Sequence, residues 1–83
     1  MKAVSLFANV GIAETYFNEI GIDVIIANEL LPERAKFYSY LYPKTNMICG
    51  DITDKKIYNQ LILEAKKEKI DILIATPPCQ GMS

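Results

Sequence analysis

Four short apolar runs, rich in β-branched residues, recur along the chain with a helical pattern between each pair. They cover residues 2–7, 23–27, 46–49 and 71–75, the third being the weakest. Val24-Ile25-Ile26 and Ile70-Asp71-Ile72-Leu73-Ile74 are nearly continuous rather than alternating. Strands buried on both faces of a parallel sheet read this way. Ile12, Tyr16 and Ile20 stand at four-residue steps and predict a helix over 12–20, with Gly21 as its stop. Pro32 and Glu33 open a second helical pattern over 32–42, where both are favoured in a first turn, and Pro43 closes it. Ile57, Leu61 and Ala65 mark a third over 57–67, with Thr53 or Asp54 as its cap and Lys66, Lys67 and Lys69 at its C-terminal end. The order βαβαβαβ predicts an α/β fold. Its sheet is parallel, of about four strands, with right-handed crossovers and helices on both faces.

Size and charge narrow the function. At 83 residues the chain is at most one small domain, with no repeat, linker or boundary inside residues 1–83. A folded chain of this length buries only about 60% of the surface that its unfolded form exposes. Nine basic residues face ten acidic ones, for a net charge of −1 and a pI near 5.3. A stand-alone nucleic-acid binder is usually basic, with a pI above about 9. The absence of histidine excludes a His-based acid–base pair and a His metal ligand. Cys49 and Cys79 are far apart and form neither a zinc spacing nor a disulfide framework, so no metal site and a reducing cytoplasm are expected. Cys49 reads as a buried structural cysteine inside a strand. No signal-peptide pattern and no apolar run near the ~20 residues of a membrane span is present.

The final strand ends at Ala75, and Thr76-Pro77-Pro78-Cys79-Gln80-Gly81-Met82-Ser83 follows as a loop. A strand that reads as buried on both faces is thus the last element, with nothing to cover its outer edge. The expectation is a piece of a larger or split protein; the alternative is a minidomain whose last strand is an edge.

Ligands of open α/β sheets bind at the carboxyl ends of the strands, and four features fall there. The first is the turn Ser5-Leu6-Phe7-Ala8-Asn9-Val10-Gly11-Ile12, where a glycine permits close backbone approach to a cofactor. Its alternative is a plain tight turn. The second is Glu29, 18 residues after Gly11, at a spacing suited to ribose hydroxyls, or else a first-turn helix charge before Pro32. The third is Gly50-Asp51-Ile52-Thr53. Asp51 suits an adenine amine and Ile52 its ring, while a turn and capping role is the alternative. The fourth is Cys79 on a loop stiffened by Pro77 and Pro78, placed as a nucleophile that needs activation from outside its own neighbourhood.

With these residues in view, the chain resembles the N-terminal part of the DNA cytosine-5 methyltransferases over essentially all of its length. Phe7-Ala8-Asn9-Val10-Gly11 is similar to the family's Phe-x-Gly-x-Gly turn, Glu29 to the acidic residue of its second motif and Gly50-Asp51-Ile52 to its third. Pro77-Pro78-Cys79-Gln80-Gly81-Met82-Ser83 closely resembles the catalytic motif and is the most specific match. The resemblance implies a partial Rossmann-like, three-layer α/β/α fold and S-adenosyl-methionine as cofactor. By position, Phe7 lies against adenine, and Ala8 and Asn9 belong to the same turn. Gly11 admits the methionine portion, Glu29 holds the ribose and Leu30 packs on the base. Asp51 and Ile52 meet adenine. Cys79 is the nucleophile, with Pro78 and Gln80 beside a flipped-out cytosine.

The chain departs from the family at Ser5, where Asp is usual, at Asn9 in place of a glycine, and at Ile12 in place of a frequent third glycine. Asn tolerates left-handed backbone angles, so the turn is expected to survive. The family's later Glu-Asn-Val motif, arginine-containing motif, target-recognition region and C-terminal helix do not occur here. The chain alone is therefore expected not to methylate DNA. DNA is a partner only of the complete enzyme, formed with a C-terminal half or second subunit, within a restriction–modification system. The alternatives are an amino-methyltransferase of nucleic acid with similar architecture and a non-catalytic split-gene fragment. The latter self-associates as a homodimer through the last strand.

Overall fold

The computed structural model describes residues 1–9 and 11–75. Seven elements follow in order: β1 (Lys2–Leu6), α1 (Glu14–Glu19), β2 (Asp23–Glu29), α2 (Pro32–Leu41), β3 (Asn46–Cys49), α3 (Lys55–Glu68) and β4 (Ile72–Ala75). The strands form one sheet in the order β3-β2-β1-β4, and all three pairings are parallel. Consecutive strands β1, β2 and β3 thus step outward on one side, and β4 crosses back to pair with β1. Residues 76–83, with Pro78, Cys79 and Gln80, lie outside the described residues.

The helix ends obey local chemistry. Pro32 opens α2 and Glu33 lies in its first turn. The Asp54 carboxylate caps α3 by accepting from the Lys56 amide at 2.9 Å, which settles the choice between Thr53 and Asp54. After α1, Gly21 takes φ +81°. Its N–H donates to Asn18 O and that of Ile22 to Phe17 O, the paired bonds of a glycine-terminated helix.

Each face of the sheet carries its own core. Val4, Ile26 and Ile48 pack with Leu61 of α3 on one face. Ala8 and Ala27 pack with Tyr38 of α2 on the other, joined by Val24, Tyr42 and Met47. A register shift explains the odd spacing. Ala3 pairs with Val24 but Val4 pairs with Ile26, so Ile25 is an extra residue in β2. The bulge lets Val24 and Ala27 share one face while Ile25 and Ile26 both join the α3 side.

Three expectations fail. The spacing of Ile12, Tyr16 and Ile20 predicts a helix over 12–20, yet Ile12 and Ile20 fall outside it and all three are exposed, at 74%, 66% and 72%. The helix itself spans only Glu14–Glu19, and it turns Glu14, not the apolar stripe, toward the sheet. Cys49 is exposed rather than buried, because β3 is an edge strand. The last strand is not buried on both faces: β4 pairs only with β1 among the described residues, and Leu73 is 61% exposed.

Ile26 is fully buried where β2 crosses the centre of the sheet. Ile26→Ala should cost about 2–5 kcal/mol of unfolding free energy, and Asp54→Ala about 1 kcal/mol. Urea unfolding followed by circular dichroism reads both, and equal losses would contradict the packing described.

Candidate cofactor-binding edge

The carboxyl ends of β1, β2 and β3 lie side by side and deliver three turns to one edge of the sheet. In the first turn, Phe7 and Asn9 both have left-handed backbones, at φ 57° and 56°. This suits Asn9, as expected, but strains a bulky phenylalanine. The turn is held from the sheet side. Ala8 N–H donates to Asn28 O at 3.0 Å, and Asn9 N–H donates to Glu29 Oε1 at 2.8 Å.

Glu29 is the last residue of β2, two residues beyond the expected end of that strand at Ala27. Its side chain is buried, with Oε1 on the Asn9 amide and Oε2 accepting from the Leu31 amide at 2.9 Å. The carboxylate ties the turn after β1 to the start of α2. Each oxygen keeps a further lone pair. Leu30 beside it is 55% exposed at the edge. Asn28, which sequence reasoning missed, is buried and donates through Nδ2 to Ile48 O at 2.8 Å and Gly50 O at 3.1 Å. It pins the third turn to β2. A lone Asn after an apolar run reads as a turn residue, so no local pattern flags it.

Asp51 is exposed in that third turn. Its Oδ1 accepts from the Thr53 hydroxyl at 2.7 Å and the Thr53 amide at 2.9 Å. These bonds hold its carboxyl below the ordinary carboxylate range. Oδ2 has no partner among the described residues. Ile52 is half-buried against the α3-side core. The turn role and an outward-facing acceptor thus coexist in one side chain.

Beneath the first turn lie two tyrosines. Gly11 has φ +80°, and a Cβ there would come within 2.5 Å of the Tyr42 ring and 2.9 Å of the Tyr38 ring. The glycine is thus required by what lies under it, in addition to any ligand above. Tyr42 Oη donates to Gly11 O at 2.7 Å and lies 3.0 Å from Thr15 Oγ1. Tyr38 is fully buried, and its hydroxyl lies near the buried Glu14 carboxyl. Burial pushes Glu14 above its ordinary 4.5, against the opposing pull of the Tyr38 and Ser5 hydroxyls. Burial and the Glu14 charge hold the Tyr38 phenol well above its usual range. Glu14 Oε2 and Tyr38 Oη nonetheless lack a well-aligned hydrogen bond.

The family model for C-5 cytosine-specific DNA methylase matches residues 1–83. The chain belongs to that family. It is 48% identical over 83 residues to the type II methyltransferase M1.HgaI of Avibacterium volantium, covering all of this chain and 23% of that protein. It is 38% identical over 85 residues to the type II methyltransferase M.AquIA of a Picosynechococcus strain, covering 99% of this chain and 34% of the relative. The chain therefore spans about a quarter to a third of the length of these methylase relatives. Among solved structures it is similar to a mutant of DNMT2 from Spodoptera frugiperda, with a TM-score of 0.75 at 24% identity, over 99% of this chain and 24% of that one. This likeness establishes the expected Rossmann-like methyltransferase fold.

The residues expected to form the site thus lie at one edge of the sheet: Phe7, Ala8, Asn9 and Gly11, then Glu29 and Leu30, then Asp51 and Ile52. Among the described residues no cluster of His, Cys, Asp or Glu suits a metal, and no helix is long and apolar enough to cross a membrane.

Glu14 sets a pH dependence. Its folded-state value is raised, so its stabilising contribution is full below 4.5 and is lost as pH rises through the folded value. Glu14→Gln should unfold at higher urea than the parent at pH 7, with the difference shrinking toward pH 4. A variant no more stable than the parent at pH 7 would show that the carboxyl carries no burial penalty.

Proposed function

We propose that this chain is the cofactor-binding portion of a DNA cytosine-5 methyltransferase of a restriction–modification system. One observation carries the reading: three adjacent strands each end in a turn that resembles a family motif, and the buried Glu29 bonds the first of these turns to the start of α2. The donor set fits S-adenosyl-methionine. Glu29 offers spare lone pairs for ribose hydroxyls, the outward Asp51 Oδ2 suits an adenine amine, and Phe7, Leu30 and Ile52 supply apolar surface at the same edge.

When bound, S-adenosyl-methionine supplies an electrophilic methyl group. Cys79 is assigned the nucleophile. Carbon 5 of cytosine is a poor nucleophile, and a thiolate adding to carbon 6 makes the ring enamine-like and able to attack through carbon 5. Loss of the carbon-5 proton, with departure of the thiolate, then restores the aromatic ring. The cytosine must leave the duplex to reach Cys79, with Pro78 and Gln80 beside it. The net charge of −1 supports placing the DNA-contacting surface on further polypeptide, a C-terminal half or second subunit. The chain alone is inactive in this reading and works in the cytoplasm.

A second reading, a non-catalytic fragment that pairs with a copy of itself, is favoured by the edge position of β4 and the 61% exposure of Leu73. The family match gives no support to an amino-methyltransferase.

Calorimetric titration of the chain with S-adenosyl-methionine tests the first reading. Binding is expected, and Asp51→Asn combined with Glu29→Gln should weaken it at least tenfold. Binding unchanged in the double variant would refute the assigned pocket. In the complete enzyme, Cys79→Ser should abolish methyl transfer while leaving cofactor affinity unchanged; sustained turnover would sink the covalent mechanism.

A further inference from the structure

We propose that Tyr42 is a positioning residue for the cofactor-binding turn, fixing the Gly11 carbonyl from beneath and so the conformation that Phe7, Ala8 and Asn9 present. The inference rests on the cofactor reading above and adds a residue to it.

The turn after β1 contains two non-glycine residues in left-handed conformations, Phe7 and Asn9. Such conformations persist only where the surroundings over-determine them. From the sheet side the anchors are Ala8 N–H on Asn28 O and Asn9 N–H on Glu29 Oε1. Both act before Gly11. On the far side, the turn closes through Gly11 N–H on Ala8 O at 3.0 Å and Glu14 N–H on Gly11 O at 3.3 Å. The Tyr42 hydroxyl meets that same Gly11 oxygen at 2.7 Å, shorter than either.

Tyr42 is itself a fixed post. It ends α2, with its N–H on Tyr38 O at 2.8 Å and its carbonyl accepting from Thr45 N–H at 3.1 Å. Its ring packs against that of Tyr38, with centroids 5.0 Å apart. The missing side chain of Gly11 is what lets the ring lie there. Proton accounting fixes the direction of the chain. A phenol has one proton, and Tyr42 spends it on Gly11 O. Its contact with Thr15 Oγ1 at 3.0 Å therefore runs from Thr15 to Tyr42. A hydroxyl on α1, one at the end of α2 and the carbonyl of the turn form one directed line. The line joins the two helices that flank the turn. A hydroxyl that merely filled space would need neither the donor behind it nor the carbonyl in front.

The experiment compares the full chain with Tyr42→Phe, which keeps the ring and removes only the hydroxyl, and with Thr15→Val. Two readouts are taken: amide hydrogen exchange at Gly11 and Glu14, and calorimetric titration with S-adenosyl-methionine. In Tyr42→Phe, exchange at Gly11 and Glu14 should quicken about fivefold, the equivalent of one neutral hydrogen bond. Cofactor affinity should fall by about the same factor, and Thr15→Val should move both readouts the same way by less. Unchanged exchange at Gly11 and Glu14 would overturn the proposal. Altered exchange with unaltered affinity would overturn the positioning role. A parent chain that binds no cofactor would refute the cofactor reading, and the exchange comparison would still decide whether Tyr42 holds the turn.

Discussion

Both oxygens of the Glu29 carboxylate are committed to backbone amides, one in the turn that leaves β1 and one at the entry to α2 after the neighbouring strand β2. A carboxylate is an unusual choice for a buried position, because desolvation penalises its charge. Here the charge sits against two N–H dipoles, and charge-assisted bonds of this kind are about twice as strong as neutral ones. An amide side chain would present one acceptor and one donor, and its donor would face an amide N–H. The need for two acceptors on one rigid planar group thus selects Glu at the end of β2. The strained turn after β1 and the entry to α2 both take their positions from this one group, and everything built on either inherits its placement.

The face of the sheet that carries α2 is consequently less apolar than the other. The α3 side is closed by Val4, Ile26, Ile48 and Leu61, all aliphatic. The α2 side holds two alanines and a tyrosine at its centre, with Ser5 and Glu14 also buried. Small residues on the sheet make room for the large rings of Tyr38 and Tyr42, and those rings bring hydroxyls into the layer. Glu14 is the cost of this arrangement: its carboxyl is pushed toward the neutral form rather than paired with a cation. Stability on this face is thereby exchanged for a layer of polar groups directly under the turn, while the α3 side behaves as ordinary core.

The strands and the ends of α2 and α3 were legible because they rest on local chemistry: β-branched runs, a proline at a first turn, an aspartate cap. The three turns that follow β1, β2 and β3 were legible as candidate binding turns, and their meeting at one edge followed from the parallel order. The helix after β1 was misread for a physical reason. Ile12 and Ile20 fall outside the six-residue helix, so their spacing with Tyr16 carries no helical phase. The orientation of α1 is set instead by bonds between distant residues, Tyr42 to Gly11 and Thr15 to Tyr42, which no window of sequence contains. Asn28 and Glu14 were missed on the same account. Each is defined by a neighbour twenty or more residues away. Cys49 was misjudged because position within a strand was equated with position within the sheet, and an edge strand is only half enclosed.

The same distinction bears on β4. Its sequence, Ile-Leu-Ile-Ala, is that of a strand enclosed on both faces, yet alternate residues are exposed and, among the described residues, only β1 borders it. Exposed edge strands in soluble proteins are usually blunted by charge, proline or a bulge. The described part of β4 has none of these. Leu73, Ile12, Tyr16 and Ile20 are also exposed on the sheet's β4 edge and on the turn and helix that follow β1. Fully covering a side chain of this size is worth about 1.5–3 kcal/mol. The free energy available from covering several of them rivals the whole stability of a domain this small. Apolar side chains exposed in this number make either a contact surface or an aggregation liability. Pairing the edge of β4 and covering its outward face are separate demands: a neighbouring strand answers the first, and only a layer packed against the sheet answers the second.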